Sequence, residues 1–219
     1  MEENRENRKY AARHNYLPAE PGAEFLKCAE LLRLSPGDRV IDFGCGNGEF
    51  LDAALKTAES AVGVDQAGSR LAAAALRFKG DTRVKLVKSP FLNFEPGGGT
   101  FTKGFSRKAL HHLTDREKTL FFAKTGKSFA PKALFLVEDV IFDFEMPDLD
   151  RNWPGLMKDC AAYYGAAWER LEKEVVFCFR KEYPAGIKTW TAALAAGGFK
   201  VIQRGRRSSF YGSLLAEKE

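Results

Sequence analysis

The sequence predicts an α/β fold: a doubly wound, mostly parallel sheet of seven strands with an antiparallel C-terminal hairpin strand, plus a helical insertion. Three observations predict it. Short apolar runs alternate with helical patterns between Arg39 and Ile141, the rhythm of a parallel sheet covered on both faces. A glycine-rich break, Gly44-Cys45-Gly46-Asn47-Gly48, follows the first run. The last two runs have no helical pattern between them, so they pair antiparallel. The chain has 219 residues, 45% apolar and 29% charged. That is too apolar for intrinsic disorder and long enough to bury one substantial core. Residues 1–219 are read as a single domain.

In chain order, residues 1–36 form an N-terminal flap region with helical character. Its first part is polar, with Tyr10, His14 and Tyr16 interleaved, and Phe25, Leu26, Leu31 and Leu32 then recur at helical spacing. Ser35-Pro36-Gly37 stops that helix. Arg39 to Phe43 is the first strand, and Phe50 to Leu55 a helix behind the glycines. Ala61 to Val64 is a strand ending in Asp65, followed by an Ala-rich helix from Ser69 to Phe78. Val84 to Val87 and Thr100 to Ser106 are the third and fourth strands. Thr114-Asp115-Arg116-Glu117 has the form of a capping box. It opens a helix with Leu120 and Phe121 on its apolar face, and Pro131 lies beyond the end of that helix. Ala133 to Ile141 is the fifth strand. Residues 142–187 break the rhythm, with Trp153, Tyr163, Tyr164, Trp168 and a charged stretch from Glu169 to Glu174. They are read as a helical insertion lying as a lid over the carboxyl edge of the sheet. Trp190 to Ala196 is a helix closed by Gly197-Gly198. Phe199 to Gln203 and Phe210 to Ala216 close the sheet, with Arg204, Arg206 and Arg207 in a solvated turn between them.

Charge and composition exclude several functions. The balance of 34 Lys+Arg and 29 Asp+Glu gives +5. It is uneven: residues 70–132 hold 14 bases and 4 acids, and residues 138–150 hold six acids and no base. These charges are expected on solvated faces, so nucleic acid is not the expected partner although a basic half could attract one. No apolar run approaches the roughly 20 residues of a membrane span. The stretch from Glu2 to Lys9 is charged, unlike a secretory signal. Cys28, Cys45, Cys160 and Cys178 are scattered and read as reduced thiols in a cytoplasmic protein. No metal site is expected, because His111 and His112 are adjacent rather than on one helix face.

The chemical signal is Val40-Ile41-Asp42-Phe43-Gly44-Cys45-Gly46-Asn47-Gly48 followed by Val62-Gly63-Val64-Asp65. In an open parallel sheet, ligands bind at the carboxyl ends of the strands near the switch point, in the manner of a Rossmann-like sheet. Glycines let a ligand approach the backbone. Asp65, 21 residues after Gly44, can accept both hydroxyls of a ribose. The pair describes a nucleoside crevice. Glu49 directly after the glycines would repel a pyrophosphate, and Asp42 suits a cationic ligand end instead.

On these residues the chain resembles the class I S-adenosylmethionine-dependent methyltransferases of small-molecule type, over nearly its whole length. Asp42, Gly44, Gly46 and Gly48 match the glycine-rich first motif, and Asp65 the ribose-binding acid. Ala109-Leu110-His111-His112-Leu113 matches a string that closes the fourth motif of such members. Glu182-Tyr183-Pro184 and the run from Trp190 to Phe199 resemble their C-terminal part. The chain departs from the family at Lys88-Ser89-Pro90-Phe91, where Pro90 takes the place of an acid near adenine, and at Phe101-Thr102, where Asp is usual. The resemblance implies S-adenosylmethionine as cofactor, S-adenosylhomocysteine as product, and a small-molecule methyl acceptor. It implies cofactor contacts from Asp42, Gly44, Cys45, Gly46, Gly48, Asp65, Gln66, Ser89, Phe91 and Ser106. His111 and His112 are the catalytic candidates, as a general base at the pocket mouth. Tyr16, Trp153 and Tyr163 are candidates for the acceptor wall. The alternatives are an RNA methyltransferase and a non-catalytic cofactor-binding protein of the same fold. The assembly is open between monomer and homodimer.

Overall fold

The computed structural model of the chain describes residues 22–96 and 100–219. Tyr10, His14 and Tyr16 lie outside the described residues, as does most of the expected flap. Its described part is α1, Ala23–Leu31. The sheet begins with β1, Arg39–Phe43, and continues through α2, Glu49–Ala54, and β2, Ser60–Asp65. Next come α3, Gly68–Arg77, β3, Val84–Lys88, and β4, Phe101–Arg107. Then follow α4, Asp115–Thr125, and β5, Phe129–Phe142. The segment expected as an insertion holds α5, Leu149–Tyr164, and α6, Trp168–Lys181. A two-residue strand β6, Ala185–Gly186, leads into α7, Ile187–Ala196, and the hairpin of β7, Phe199–Arg206, and β8, Tyr211–Lys218.

The strand order is β3-β2-β1-β4-β5-β8-β7. The first five are parallel to their neighbours, and β8 runs antiparallel between β5 and β7. The seven expected strands are therefore present, joined by β6, which pairs with the end of β5 at Ile141 and Phe142. The order reverses between β1 and β4, which pair at Asp42 and Phe105. A crevice at their carboxyl ends is the natural ligand position in such a sheet.

Strand alternation sends the apolar residues of β1 to two cores. Ile41 and Phe43 face one, and Val40 faces the other with Phe50, Leu51 and Phe105. Phe43 packs edge-on against Phe94 and Phe121 at 5.7 and 4.8 Å between ring centres. A third cluster joins α5 and α6 to the end of β5 and to Phe210 and Tyr211. The capping box is formed: the Glu117 amide donates to Thr114 Oγ1 at 3.2 Å, and the Thr114 amide donates to the Glu117 carboxylate at 2.8 Å.

Three expectations are corrected. Pro131 lies inside β5 rather than before it. The register jumps there, from Phe101 opposite Phe129 to Lys103 opposite Leu134. Lys132 takes φ 67° within that bulge, a place where a residue without an N–H breaks no ladder. Arg204 and Arg206 belong to β7, and Arg207 pairs with Glu138 at 2.5 Å. The charges of residues 70–132 and 138–150 are not all on solvated faces: Lys118, Glu138 and Asp139 are buried, each with a partner described below.

Candidate active site

The glycine break after β1 turns through left-handed backbone at Gly44, Gly46 and Gly48, with φ of 86°, 55° and 83°. At Gly44 the conformation is enforced by crowding as well. A Cβ there would sit 2.3 Å from the Cβ of Ala109, so the loop after β4 passes directly over it. The Gly44 amide donates to the Val64 carbonyl at 2.8 Å, anchoring the turn to β2.

Asp65 stands at the end of β2 and grips the turn. One carboxylate oxygen accepts from the Gly46 amide at 2.9 Å and the other from the Ala67 amide at 2.8 Å. A carboxylate offers about four acceptor sites, so two remain for hydroxyl groups of a ligand. Asp42 is 2% exposed and its Oδ1 has no hydrogen-bond partner among the described residues. Burial, then the carboxylates of Asp65 and Glu49, push its carboxyl well above the usual range. A buried carboxyl oxygen without a donor is costly. A cationic ligand end, such as an ammonium, would satisfy it. On these observations the residues fit the methionine and ribose parts of S-adenosylmethionine.

The other expected cofactor residues lie around the crevice in different ways. Gln66 is exposed beside Asp65. The Ser89 amide donates to the Asp65 carbonyl at 3.0 Å, and its hydroxyl donates to the Pro90 carbonyl at 2.9 Å. Three side chains are spent inside the protein. Cys45 belongs to the core behind β1, its sulfur near Gly63. Phe91 packs edge-on against Phe43. The Ser106 hydroxyl donates to the Phe43 carbonyl at 2.8 Å, tying β4 to β1. What these three can offer a ligand is backbone. Thr102 sits at the amino end of β4, opposite the crevice. Its hydroxyl donates to Asp38 at 2.7 Å and accepts from the Arg39 amide at 3.0 Å.

The two histidines lie in the one-turn segment Leu110–His112 after β4. His111 is buried, with Nδ1 2.5 Å from Asp139 Oδ1, and its own amide donates to Asp139 Oδ2 at 3.2 Å. Its Nε2 faces Glu182 Oε2 at 3.4 Å, and His112 Nδ1 faces Glu182 Oε1 at 3.7 Å. Burial alone would lower the His111 pKa. The carboxylates of Asp139 and Glu182 outweigh it and push the imidazole up to about 9. Glu182 is held down at about 2: burial opposes this, and hydrogen bonding and charge from His111 prevail. At neutral pH His111 therefore already carries its proton.

Backbone tethers hold this cluster. The Tyr183 amide donates to the His111 carbonyl at 2.9 Å. The ammonium of Lys118, fully buried, donates to the carbonyls of Leu113 and Tyr183, each at 2.5 Å. The end of α6 and the loop after β4 are thus fastened together. Asp139, Glu182 and Lys118 were not among the residues expected at the site. A signal existed for Asp139, since Glu138-Asp139 puts two acids inside an otherwise apolar strand.

Beside the cluster lies a small cavity of about 70 Å³ between β5, the start of β8 and α6. Val140, Tyr164, Val175, Phe179 and Phe210 supply apolar wall, and Lys108, His111 and Glu182 are among its polar lining. Burial, then the Arg107 guanidinium, bring the Lys108 ammonium down to about 8. The expected wall residues are placed otherwise. Trp153 stacks under Arg180, 3.9 Å from its guanidinium carbon, and does not line this cavity. Tyr163 packs against Tyr164 and Phe210 at 5.1 and 5.3 Å, one layer behind the wall. Next to the cavity, Arg107 and Arg207 both pair with Glu138 and with Glu24 of α1. The N-terminal helix is thereby tied to the carboxyl edge.

Residues 40–132 match the family model described as methyltransferase domain. An uncharacterized methyltransferase of Oceanobacillus iheyensis is 24% identical over 106 residues, 48% of this chain and 48% of that protein. The chain thus matches about half the length of that curated relative. Among solved structures, a cyclopropane synthase from Mycobacterium tuberculosis superposes with TM-score 0.68 at 15% identity, over 93% of this chain and 88% of that one. An amino pentose methyltransferase from Micromonospora echinaspora, solved with S-adenosylmethionine bound, gives TM-score 0.67 at 15% identity over 96% of each chain. Among the described residues no helix is long and apolar enough to cross a membrane.

Proposed function

We propose, from the match of residues 40–132 to the methyltransferase-domain family model, that this chain is a class I S-adenosylmethionine-dependent methyltransferase that methylates a small-molecule acceptor bound in the cavity beside His111. The observation that carries the reading is the pairing of an unsatisfied buried carboxyl at Asp42 with a glycine turn gripped by Asp65. One end of that crevice suits a cation and the other a ribose. The cavity supports a small acceptor: its wall is mostly apolar, a few polar groups converge on it, and α6 closes one side. The cytoplasm is the proposed location, in keeping with four free thiols.

Bound there, the cofactor supplies a methyl group on a sulfonium, electrophilic without further activation. The work of this chain is alignment and desolvation. Asp42 and the glycine turn hold the cationic tail, and Asp65 holds the ribose hydroxyls. The β4 loop, pressed on Gly44, brings the histidine pair beside the crevice. Alignment of reacting groups can supply several kcal/mol, up to about 7–11. The helices α5 and α6 act as the lid that excludes water. His111 is protonated at neutral pH and so orients the acceptor rather than taking its proton. His112, whose Nδ1 faces the Glu182 carboxylate at 3.7 Å, is the group proposed to take it.

Isothermal titration with S-adenosylmethionine and S-adenosylhomocysteine tests the reading. Saturable binding is expected, weakened about 100-fold or more in Asp65→Ala, because two charge-assisted hydrogen bonds to the ribose hydroxyls are lost at about 1.5–3 kcal/mol each. No binding at millimolar cofactor overturns it. Binding without turnover across a broad acceptor panel leaves a cofactor-binding protein instead.

A further inference from the structure

The three donors around Glu182 are arranged as a ligand set. Ligands held about 2.0–2.2 Å from a zinc-class cation at tetrahedral angles sit roughly 3.3–3.6 Å from one another. His111 Nε2 and Glu182 Oε2 are 3.4 Å apart, and His112 Nδ1 and Glu182 Oε1 are 3.7 Å apart. One ligand atom from each of the three residues can be chosen so that all lie within 4.8 Å of one another. The two short distances run to different Glu182 oxygens, so closing the set on one cation takes a movement of up to about 1.2–1.5 Å.

Ion pairing alone explains this arrangement poorly. His111 already has a carboxylate, Asp139, at 2.5 Å from Nδ1. Glu182 is a second carboxylate, and it is placed against both rings rather than one. Asp139 does what an outer carboxylate does at metal-binding histidines: it accepts the Nδ1 proton, fixes the ring, and turns the Nε2 lone pair outward. The backbone amides of His111 and Tyr183 and the ammonium of Lys118 fix the two segments that carry the donors.

We propose that His111, His112 and Glu182 form a three-ligand site for a divalent cation of the zinc class, with its open position toward the cavity that His111 and Glu182 line. Three protein ligands with one position left for water or substrate is the pattern of a catalytic rather than a structural zinc site. A cation there would offer an oxygen, nitrogen or sulfur of the acceptor a fixed point beside the crevice. The site's existence does not rest on methyl transfer, but where a cation holds both rings neither serves as the base, and the acceptor on the cation gives its proton to solvent.

The test uses the full chain without a histidine tag, stripped with a chelator and titrated with Co²⁺ by visible absorption and with Zn²⁺ by calorimetry. One equivalent is expected, with d–d bands of tetrahedral character and no thiolate charge-transfer band. Glu182→Gln and His112→Gln should each weaken binding at least tenfold, and Asp139→Asn about 10–100-fold. Cys178→Ser, which keeps a hydroxyl donor where the thiol hydrogen-bonds Glu182, should change binding less than about threefold. Thermal melts and S-adenosylhomocysteine titrations of each variant separate loss of the site from loss of the fold. No saturable binding in the micromolar range overturns the proposal. So does Glu182→Gln binding as wild type, or a thiolate band that Cys178→Ser removes.

Discussion

At the scale of single residues, the cofactor half of the site was legible because its chemistry is backbone chemistry. A turn that needs three left-handed residues writes itself as Gly44, Gly46 and Gly48, and an acid that grips the turn follows at the next strand end. The acceptor half was not. The partners of His111 arrive from β5 and from the end of α6, 28 residues away in the case of Asp139, and only the fold brings them together. The side chains of Cys45, Phe91 and Ser106 turn into the protein rather than toward the crevice, since motif spacing does not say which way a side chain turns. Asp42 gives the clearest residue-scale prediction. Its carboxyl is buried beside two like charges and lacks a partner for one oxygen. Asp42→Asn removes that charge, so it should stabilise the free protein by on the order of 1 kcal/mol. The same change should weaken S-adenosylmethionine binding about tenfold or more, because the cationic tail loses its counter-charge. Thermal melts and calorimetry with one variant read both effects. Parallel losses in stability and affinity would count against the assignment.

At the scale of elements, the strands of the parallel sheet were predictable from short apolar runs, and the capping box of α4 from four residues. The bulge in β5 was not, because Pro131 signals a break without saying whether the strand stops or swells. Nor was β6: two residues carry no period, and they pair only because Ala185 and Gly186 are delivered to the end of β5. The cap on α4 has a consequence beyond its helix, because Thr114 follows the histidine loop directly and Lys118, in the first turns of α4, holds that loop. Thr114→Ala should cost about 1 kcal/mol of stability, within about 0.5–2. It should also slacken the Leu113 carbonyl that Lys118 binds. The expected result in urea unfolding is a lower midpoint with an unchanged slope. Thr114→Ser should restore most of the loss, since a serine hydroxyl caps equally well.

At the scale of the whole molecule, the carboxyl edge is where the chain has concentrated its buried charge, and that sets how stability depends on pH. His111 titrates at about 9 in the folded protein and near 6.5 when unfolded. Its contribution is complete below pH 6.5 and is lost as the pH rises through about 9, because over that interval the folded state holds a proton that the unfolded state has released. Glu182 is depressed to about 2 from 4.5. Its contribution is complete above pH 4.5 and is lost only as the pH falls through about 2. Asp139 is depressed also and acts in the same sense. Asp42 acts oppositely: its raised carboxyl binds a proton in the folded state, so its effect on stability declines as the pH rises from about 3.8 through its elevated value. The His111–Glu182–Asp139 cluster therefore stabilises most between about pH 4.5 and 6.5. Melts of wild type and His111→Gln in chelator, from pH 5 to 10, isolate its share. The gap between the two should be widest near pH 6, narrow steadily from pH 7 to 9, and be smallest above 9. A gap that stays constant would mean that His111 titrates at the same pH folded and unfolded, so that Asp139 and Glu182 do not favour its proton.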